Sequence, residues 1–189
     1  PGLDVRYAEG RAFLAQRGFQ IVAEVENLRA PLDGKNPLVT EARARELAAR
    51  AASAGYLLRR AEPADRDALL DFVAHQFAAV WANETARALD GPRRAVHLAL
   101  DPQSGAPIAF AAADGNNQGL GWFGPAGTAP EHRGRGLGEA LLIACLNDVR
   151  GLPEAGVIAW IGPKAFYERA CGAKGDRRFV VYQATEPGA

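Results

Sequence analysis

PEHRGRGLGEALL, residues 130–142, sets a proline, a histidine, two arginines and three alternating glycines in front of an apolar run. Gly134, Gly136 and Gly138 stand at every second position. Leu137, Leu141 and Cys145 then fall on one helical stripe, with Leu142, Leu146 and Val149 beside it. The spacing predicts a helix whose first turn is almost stripped of side chains. A helix start presents free backbone N–H groups and the positive end of the macrodipole. Glycines let a ligand approach those N–H groups, and Arg133 and Arg135 add positive charge. Residue types in this order point to a phosphate-binding helix N-terminus.

The flanking sequence sets this helix in an α/β frame. From residue 55, YLLRRA reads as a short strand, followed by two helical patterns, EPADRDALLDFVAHQF and VWANETARAL. RRAVHLAL and PIAFAAAD are strands joined by the turn DPQSGAP, and LGWFGPAGTAP is extended. After the glycine-opened helix come AGVIAWI as a strand, GPKAFYERACG as a helix and RRFVVYQA as the last strand. The order β-α-α-β-β-β-α-β-α-β predicts a mixed, mainly antiparallel sheet flanked by helices, not a doubly wound repeat. Residues 55–189 are therefore expected to form the main domain. Residues 31–54 read as a Pro/Gly/Asp/Asn linker and a bridging helix with Thr40 as its N-cap. Residues 1–30 read as a helical turn and one strand, FQIVAEVENL. A lone strand is unstable in water, so it must join the main sheet, a second copy or a missing domain.

Composition narrows the class. The chain has 189 residues, 22 basic and 22 acidic, with a formal net charge of zero. That balance offers no bulk attraction to nucleic acid or to an anionic membrane. No apolar run approaches the roughly 20 residues of a membrane span. Cys145 and Cys171 are far apart and fit neither a disulfide framework nor a metal site. Buried thiols in a reducing cytoplasm, with no metal, are the expectation. The chain begins at Pro1 and has no methionine, which reads as a remnant of a longer protein.

Which phosphate ligand fits the loop? A P-loop needs a Lys-Ser/Thr pair after its last glycine, and none is present. A dinucleotide fold needs G-x-G-x-x-G within a parallel βαβ unit, which neither the spacing nor the preceding strands provide. The segment Arg133-Gly134-Arg135-Gly136-Leu137-Gly138 instead resembles the Q/R-x-x-G-x-G/A signature of the GNAT N-acetyltransferase superfamily. The resemblance spans residues 55–183 in element order. It implies that backbone N–H groups of Arg133, Gly134, Arg135, Gly136, Leu137 and Gly138 hold the pyrophosphate of acetyl-coenzyme A. It also implies that Gly127 and Thr128 pair with the pantetheine arm, and that Tyr167 of AFYERACG donates a proton to the leaving thiolate. The family often carries an Asn near the start of this last helix. Here Gly162 and Pro163 stand in that neighbourhood, so no Asn contact is carried over.

WFGPAG, RGRGLG and WIGPKAFYE together look like the C-terminal half of tandem GNAT proteins, some of which acetylate amino sugars. AFLAQRGFQIV, residues 12–22, parallels AFYERACGAKG, residues 165–175. Residues 1–30 thus resemble the tail of a first GNAT domain. The implied partner is that missing domain or a second copy of the chain.

Acetyl transfer to an amine needs a polarised thioester, a deprotonated amine and a proton for the thiolate. Backbone N–H groups near Gly127 and Thr128 are candidates for stabilising the oxyanion. The base is open among Glu131, His132, His97, His75, Glu84, Asp114 and a chain of waters. Trp81, Trp122 and Phe123 are candidates for an apolar or sugar-stacking wall, against ordinary core and rim packing. Lys164 and Arg169 are candidates for the cofactor's 3′-phosphate, or plain exposed charges. Three readings remain: an acetyl-coenzyme A-dependent N-acetyltransferase acting on a small-molecule primary amine, a non-catalytic acyl-coenzyme A-binding regulatory domain, or an aminoacyl or acyl transferase using another donor.

Overall fold

A computed structural model describes residues 2–184. Eight strands form one sheet: β1 (Gly2–Asp4), β2 (Phe19–Arg29), β3 (Leu57–Arg60), β4 (Val96–Leu100), β5 (Pro107–Ala113), β6 (Phe123–Thr128), β7 (Val157–Ile158) and β8 (Lys174–Ala184). Their spatial order is β1-β8-β2-β7-β6-β5-β4-β3. All neighbours are antiparallel except β6 and β7, which run parallel and pair at one register, Phe123 with Ile158. The α-helices among the described residues are α1 (Ala8–Gln16), α2 (Glu41–Ser53), α3 (Arg66–Gln76), α4 (Ala79–Asp90), α5 (Leu137–Asp148) and α6 (Lys164–Cys171). The mixed, mainly antiparallel sheet flanked by helices is the architecture expected from the sequence. Among the described residues no helix is long and apolar enough to cross a membrane.

The sheet buries a different set of side chains on each face. On one face α5 supplies Leu137, Leu141, Leu142, Ile143 and Leu146, all essentially buried, to a core shared with Leu47 of α2 and Ala109, Ala111 and Ala113 of β5. This helix is apolar nearly all round because the sheet covers one side and α2 the other. The Cys145 thiol donates weakly to the Ala111 carbonyl at 3.4 Å, so α5 lies close on the sheet. On the opposite face Leu69 and Val73 of α3 and Ala88 of α4 pack on Val96, Leu98, Phe110 and Ala112. The Thr40 hydroxyl accepts the Arg43 N–H at 3.1 Å, which caps α2 as its sequence predicts.

AGVIAWI forms only two residues of strand, fewer than its β-prone composition suggests. Trp160 leaves the sheet with φ +45, in the left-handed region. β2 fixes that departure. The Asn27 Oδ1 accepts the Trp160 N–H at 3.1 Å, and the Glu26 carbonyl accepts the Ile161 N–H at 3.1 Å. Glu26 also pairs with Lys164, Oε2 to Nζ 2.9 Å. The strand of residues 1–30 therefore joins the main sheet, between β7 and β8, with Asn27, Leu28 and Ala30 buried. By contrast α1 buries no residue, and Tyr7, Phe13, Ile21 and Val22 are each more than half exposed.

At the junction of α3 and α4, Phe77 leaves the helix and lays its ring on β6. A Cβ added at Gly127 would stand 2.5 Å from that ring, so the strand needs a glycine there. Gly127→Ala is expected to destabilise the protein by about 1–3 kcal/mol through overpacking, and Phe77→Leu in the same chain to restore part of it. Urea unfolding of the two variants and their combination measures both effects. Burial also pushes the Cys171 thiol up to about 11 and the Cys145 thiol well above its ordinary value. Both cysteines should therefore resist a thiol reagent at pH 8 in the folded protein and react fully in denaturant.

Candidate acyl-coenzyme A groove

β6 and β7 part after their single pairing, and the space between them opens into a groove of about 830 Å³. One wall is β6, from Phe123 to Thr128; the other is the chain from Ile158 to Pro163 that β2 holds in place. The loop before α5 closes one end, and Phe166 and Tyr167 of α6 close the top.

The loop places its backbone as the glycine spacing predicts. Gly134 has φ +75 and Gly136 φ +77, a conformation glycine adopts without a Cβ penalty. A Cβ would meet nothing within 4 Å at either position, so both glycines border open space. The N–H groups of Gly134, Arg135, Gly136, Leu137, Gly138 and Glu139 find no acceptor among the described residues; the Ala140 N–H is the first to bond back, to Gly136. A run of outward N–H groups at a helix start is an anion cradle.

The two loop arginines part company. Arg133 lines the groove, and its Nε donates to the Thr128 carbonyl at 3.1 Å. Arg135 turns away, donating to the Tyr56 hydroxyl and lying over the Tyr56 ring, so it ties the loop to the residue that precedes β3. His132, which lines the groove, contacts the same hydroxyl at 3.5 Å and stands 3.9 Å from Asp101. Leu137 is buried and faces the core, leaving only its N–H for a ligand. Glu139, which the sequence reading passed over, also lines the groove, with its carboxylate paired to Arg43 of α2.

Along β6 the free backbone groups alternate. The Ala129 N–H donates to Ile108 of β5 at 2.8 Å, and Gly127 pairs with Phe110. Since successive residues of a strand turn their N–H and C=O to opposite sides, Thr128 and Ala126 direct theirs into the gap. The Arg133 bond to the Thr128 carbonyl has the same sense. Gly127 itself borders the groove through its Cα, beneath Phe77. Ala126 has no side-chain signal, and only strand register reveals it.

Tyr167 sits in the groove with its ring between Phe166, at 5.0 Å, and Phe123, at 6.2 Å. Burial pushes its phenol up to about 12, and its hydroxyl meets no partner among the described residues. The Gly172 N–H bonds back to the Glu168 carbonyl and ends α6 in a left-handed cap, φ +67, which fixes the helix that carries Tyr167.

Several sequence candidates have other occupations. His97 bonds Asp148 of α5, Nε2 to Oδ2 2.7 Å, and does not line the groove. The Asp114 carboxylate is buried and accepts the Gly121 N–H at 2.9 Å. His75 contacts the Asp71 carbonyl at 2.7 Å. Trp122 donates to Glu154 at 2.6 Å and does not line the groove, whereas Trp81 and Phe123 do. Lys164 is held by Glu26, and Arg169 and Glu131 are exposed outside the lining. Among the described residues no cluster of three or more His, Cys, Asp or Glu gathers as a metal site would require.

No curated protein matches the chain in sequence. Among solved structures it is similar to a GCN5-related N-acetyltransferase from Sphaerobacter thermophilus, with TM-score 0.67 and 21% identity over 96% of this chain and 57% of that one. It is also similar to a GCN5-related glucosamine N-acetyltransferase region of a fungal multi-domain GH3 β-N-acetylglucosaminidase, with TM-score 0.69 and 19% identity over 95% of this chain and 23% of that one. A tandem GNAT protein from the clavulanic acid biosynthesis pathway aligns with TM-score 0.55 and 21% identity over 92% of this chain and 57% of that one. The chain thus spans little more than half of these structures, or less. At this identity the likeness concerns the fold. The family model for acetyltransferases of the GNAT type matches residues 61–173, which run from the end of β3 through the groove to the end of α6, and the chain belongs to that family.

Proposed function

We propose that the chain is an acetyl-coenzyme A-dependent N-acetyltransferase that acts on a primary amine of a small molecule by direct transfer. The observation that carries this reading is the unpaired cradle of N–H groups from Gly134 to Glu139 at the mouth of the β6–β7 gap. The pyrophosphate would lie on Gly134, Gly136, Leu137 and Gly138, with Arg133 supplying charge beside it and Arg135 bracing the loop through Tyr56. The pantetheine amides would complete the ladder that Thr128 and Ala126 leave open. An arm that supplies both donors and acceptors suits such an edge, since buried strand groups need partners.

The thioester would then come under Tyr167. A free thiol has a pKa of roughly 8.5, so complete proton transfer from a phenol held at about 12 is uphill. Tyr167 therefore acts first as a hydrogen-bond donor to the departing sulfur. As the C–S bond breaks and the amide forms, the phenol proton goes to sulfur, and the proton lost by the amine returns to Tyr167 through water. A phenol with a raised pKa remains protonated throughout the neutral range, as a donor must. A free backbone N–H on the gap side of β6, that of Thr128, would take the oxyanion.

The exposed side of α1 and β2, with Tyr7, Phe13, Ile21 and Val22, is where we place the tandem GNAT domain or a second copy. A cytoplasmic location suits two buried thiols that form no disulfide. The second reading, a regulatory domain that binds acyl-coenzyme A without chemistry, lacks any use for a phenol aimed at the groove.

Two substitutions separate the readings. Gly136→Asp sets a carboxylate against the cradle and should abolish acetyl-coenzyme A binding in calorimetry while the fold survives. Tyr167→Phe should keep affinity within about twofold and lower turnover roughly 10- to 10³-fold. Undiminished binding by Gly136→Asp overturns the cofactor site. Undiminished turnover by Tyr167→Phe removes the phenol from the chemistry.

A further inference from the structure

The groove is polar at one end and aromatic at the other. All charged side chains that line it, His132, Arg133 and Glu139, belong to the loop and first turn of α5. On the other face of the sheet the lining comes from Phe77 at the α3–α4 junction, Trp81 of α4 and Phe110 of β5, while Phe123 of β6 lines the groove from the α5 face beside Tyr167. Among the described residues the polar side-chain groups of that half are the Trp81 indole N–H and the Tyr167 phenol at its top. The nearby acid Asp114 is buried and turned to the Gly121 N–H.

These rings form a braced wall. Phe77 and Trp81 stack at 5.6 Å with an interplanar angle of 23°. Phe77 also contacts Phe110 at 5.6 Å and Phe72 at 5.7 Å, edge to face in the latter case. Gly127 leaves room for the Phe77 ring against β6. Trp81 is only partly buried, so its ring adds apolar surface facing the groove.

We infer that the acceptor is a primary amine carried by a short linker on a flat apolar ring, bound against Phe77 and Trp81. This rests on the acetyltransferase reading above. With the pyrophosphate on the α5 loop, the acyl end crosses the gap toward the opposite face of the sheet, where the aromatic wall stands. A ring of the acceptor stacks on that wall and leaves its amine free to reach the thioester. On this wall a polyhydroxylated amine meets one side-chain donor, the Trp81 indole N–H, for its several hydroxyls, and a polyamine meets no lining carboxylate for its second charge. Each would give up more hydrogen bonds to water than the wall returns, whereas a flat apolar ring gives up none. An amino sugar, the acceptor associated with the tandem resemblance, is therefore disfavoured by the same lining.

The test uses the full chain with 2-phenylethylamine, glucosamine and spermidine as acceptors, read by thiol release, with acetyl-coenzyme A affinity measured separately by calorimetry. The expected result is kcat/KM for 2-phenylethylamine at least about 100-fold above both others. Trp81→Ala should lower that value about tenfold or more and leave coenzyme affinity within twofold, and Trp81→Phe, which keeps a ring, should recover most of it. Preference for glucosamine or spermidine overturns the inference. So does tight coenzyme binding with no turnover of 2-phenylethylamine, or indifference to Trp81→Ala in a variant that still binds coenzyme. Failure of the parent chain to bind acetyl-coenzyme A overturns the acetyltransferase reading instead.

Discussion

The parting of β6 from β7 is the constraint on which the molecule depends. Two parallel strands that meet only at Phe123 and Ile158 leave backbone N–H and C=O groups without a ladder partner. Buried in protein, such groups are costly to leave unpaired. The chain meets that cost by keeping the edge in an open groove and lining its polar end with further unpaired N–H groups, those before and within the first turn of α5. A ligand rich in amides and phosphates suits both sets at once. Acetyl-coenzyme A, the ligand proposed for this groove, carries both kinds of group.

The gap is held open from both sides. β5 holds β6, and Phe77 presses on it at Gly127. On the other side β2 holds the short β7 and the chain beyond it through the backbone of Glu26 and the side-chain oxygen of Asn27. The Trp160 N–H can meet only an oxygen, so the Asn27 amide nitrogen is buried with no partner among the described residues. An asparagine that accepts this imbalance is placed for the bond it makes, which is to set the groove wall. The N-terminal segment thus shapes the groove.

Much of this was legible in the sequence, and the limits have physical causes. Gly134, Gly136, Arg133 and the apolar run after them are local signals: positive φ, free N–H groups and charge all fall within one turn. Helix caps such as Thr40 are equally local. The short β7 was not legible, because AGVIAWI has the composition of a longer strand and only the divergence of β6 and the left-handed Trp160 end it. The place of β2 between β7 and β8 was not legible either, since pairing partners are chosen across the whole chain. Arg133 and Arg135 look alike in sequence, yet one lines the groove and the other is spent on Tyr56, a residue 79 positions away. Phe77 read as one more apolar helix position; a glycine in β6, where a strand gains nothing from it, was the signal that another group comes close.

The most direct test follows backbone hydrogen exchange in free protein and on addition of acetyl-coenzyme A. The account predicts that the N–H groups of Ala126 and Thr128 and those from Gly134 to Glu139 exchange quickly in the free protein and become strongly protected by the ligand. The Gly127 N–H, turned toward β5, should be protected already. Binding that leaves the groove-facing amides unprotected, or that protects a different surface, would contradict the account.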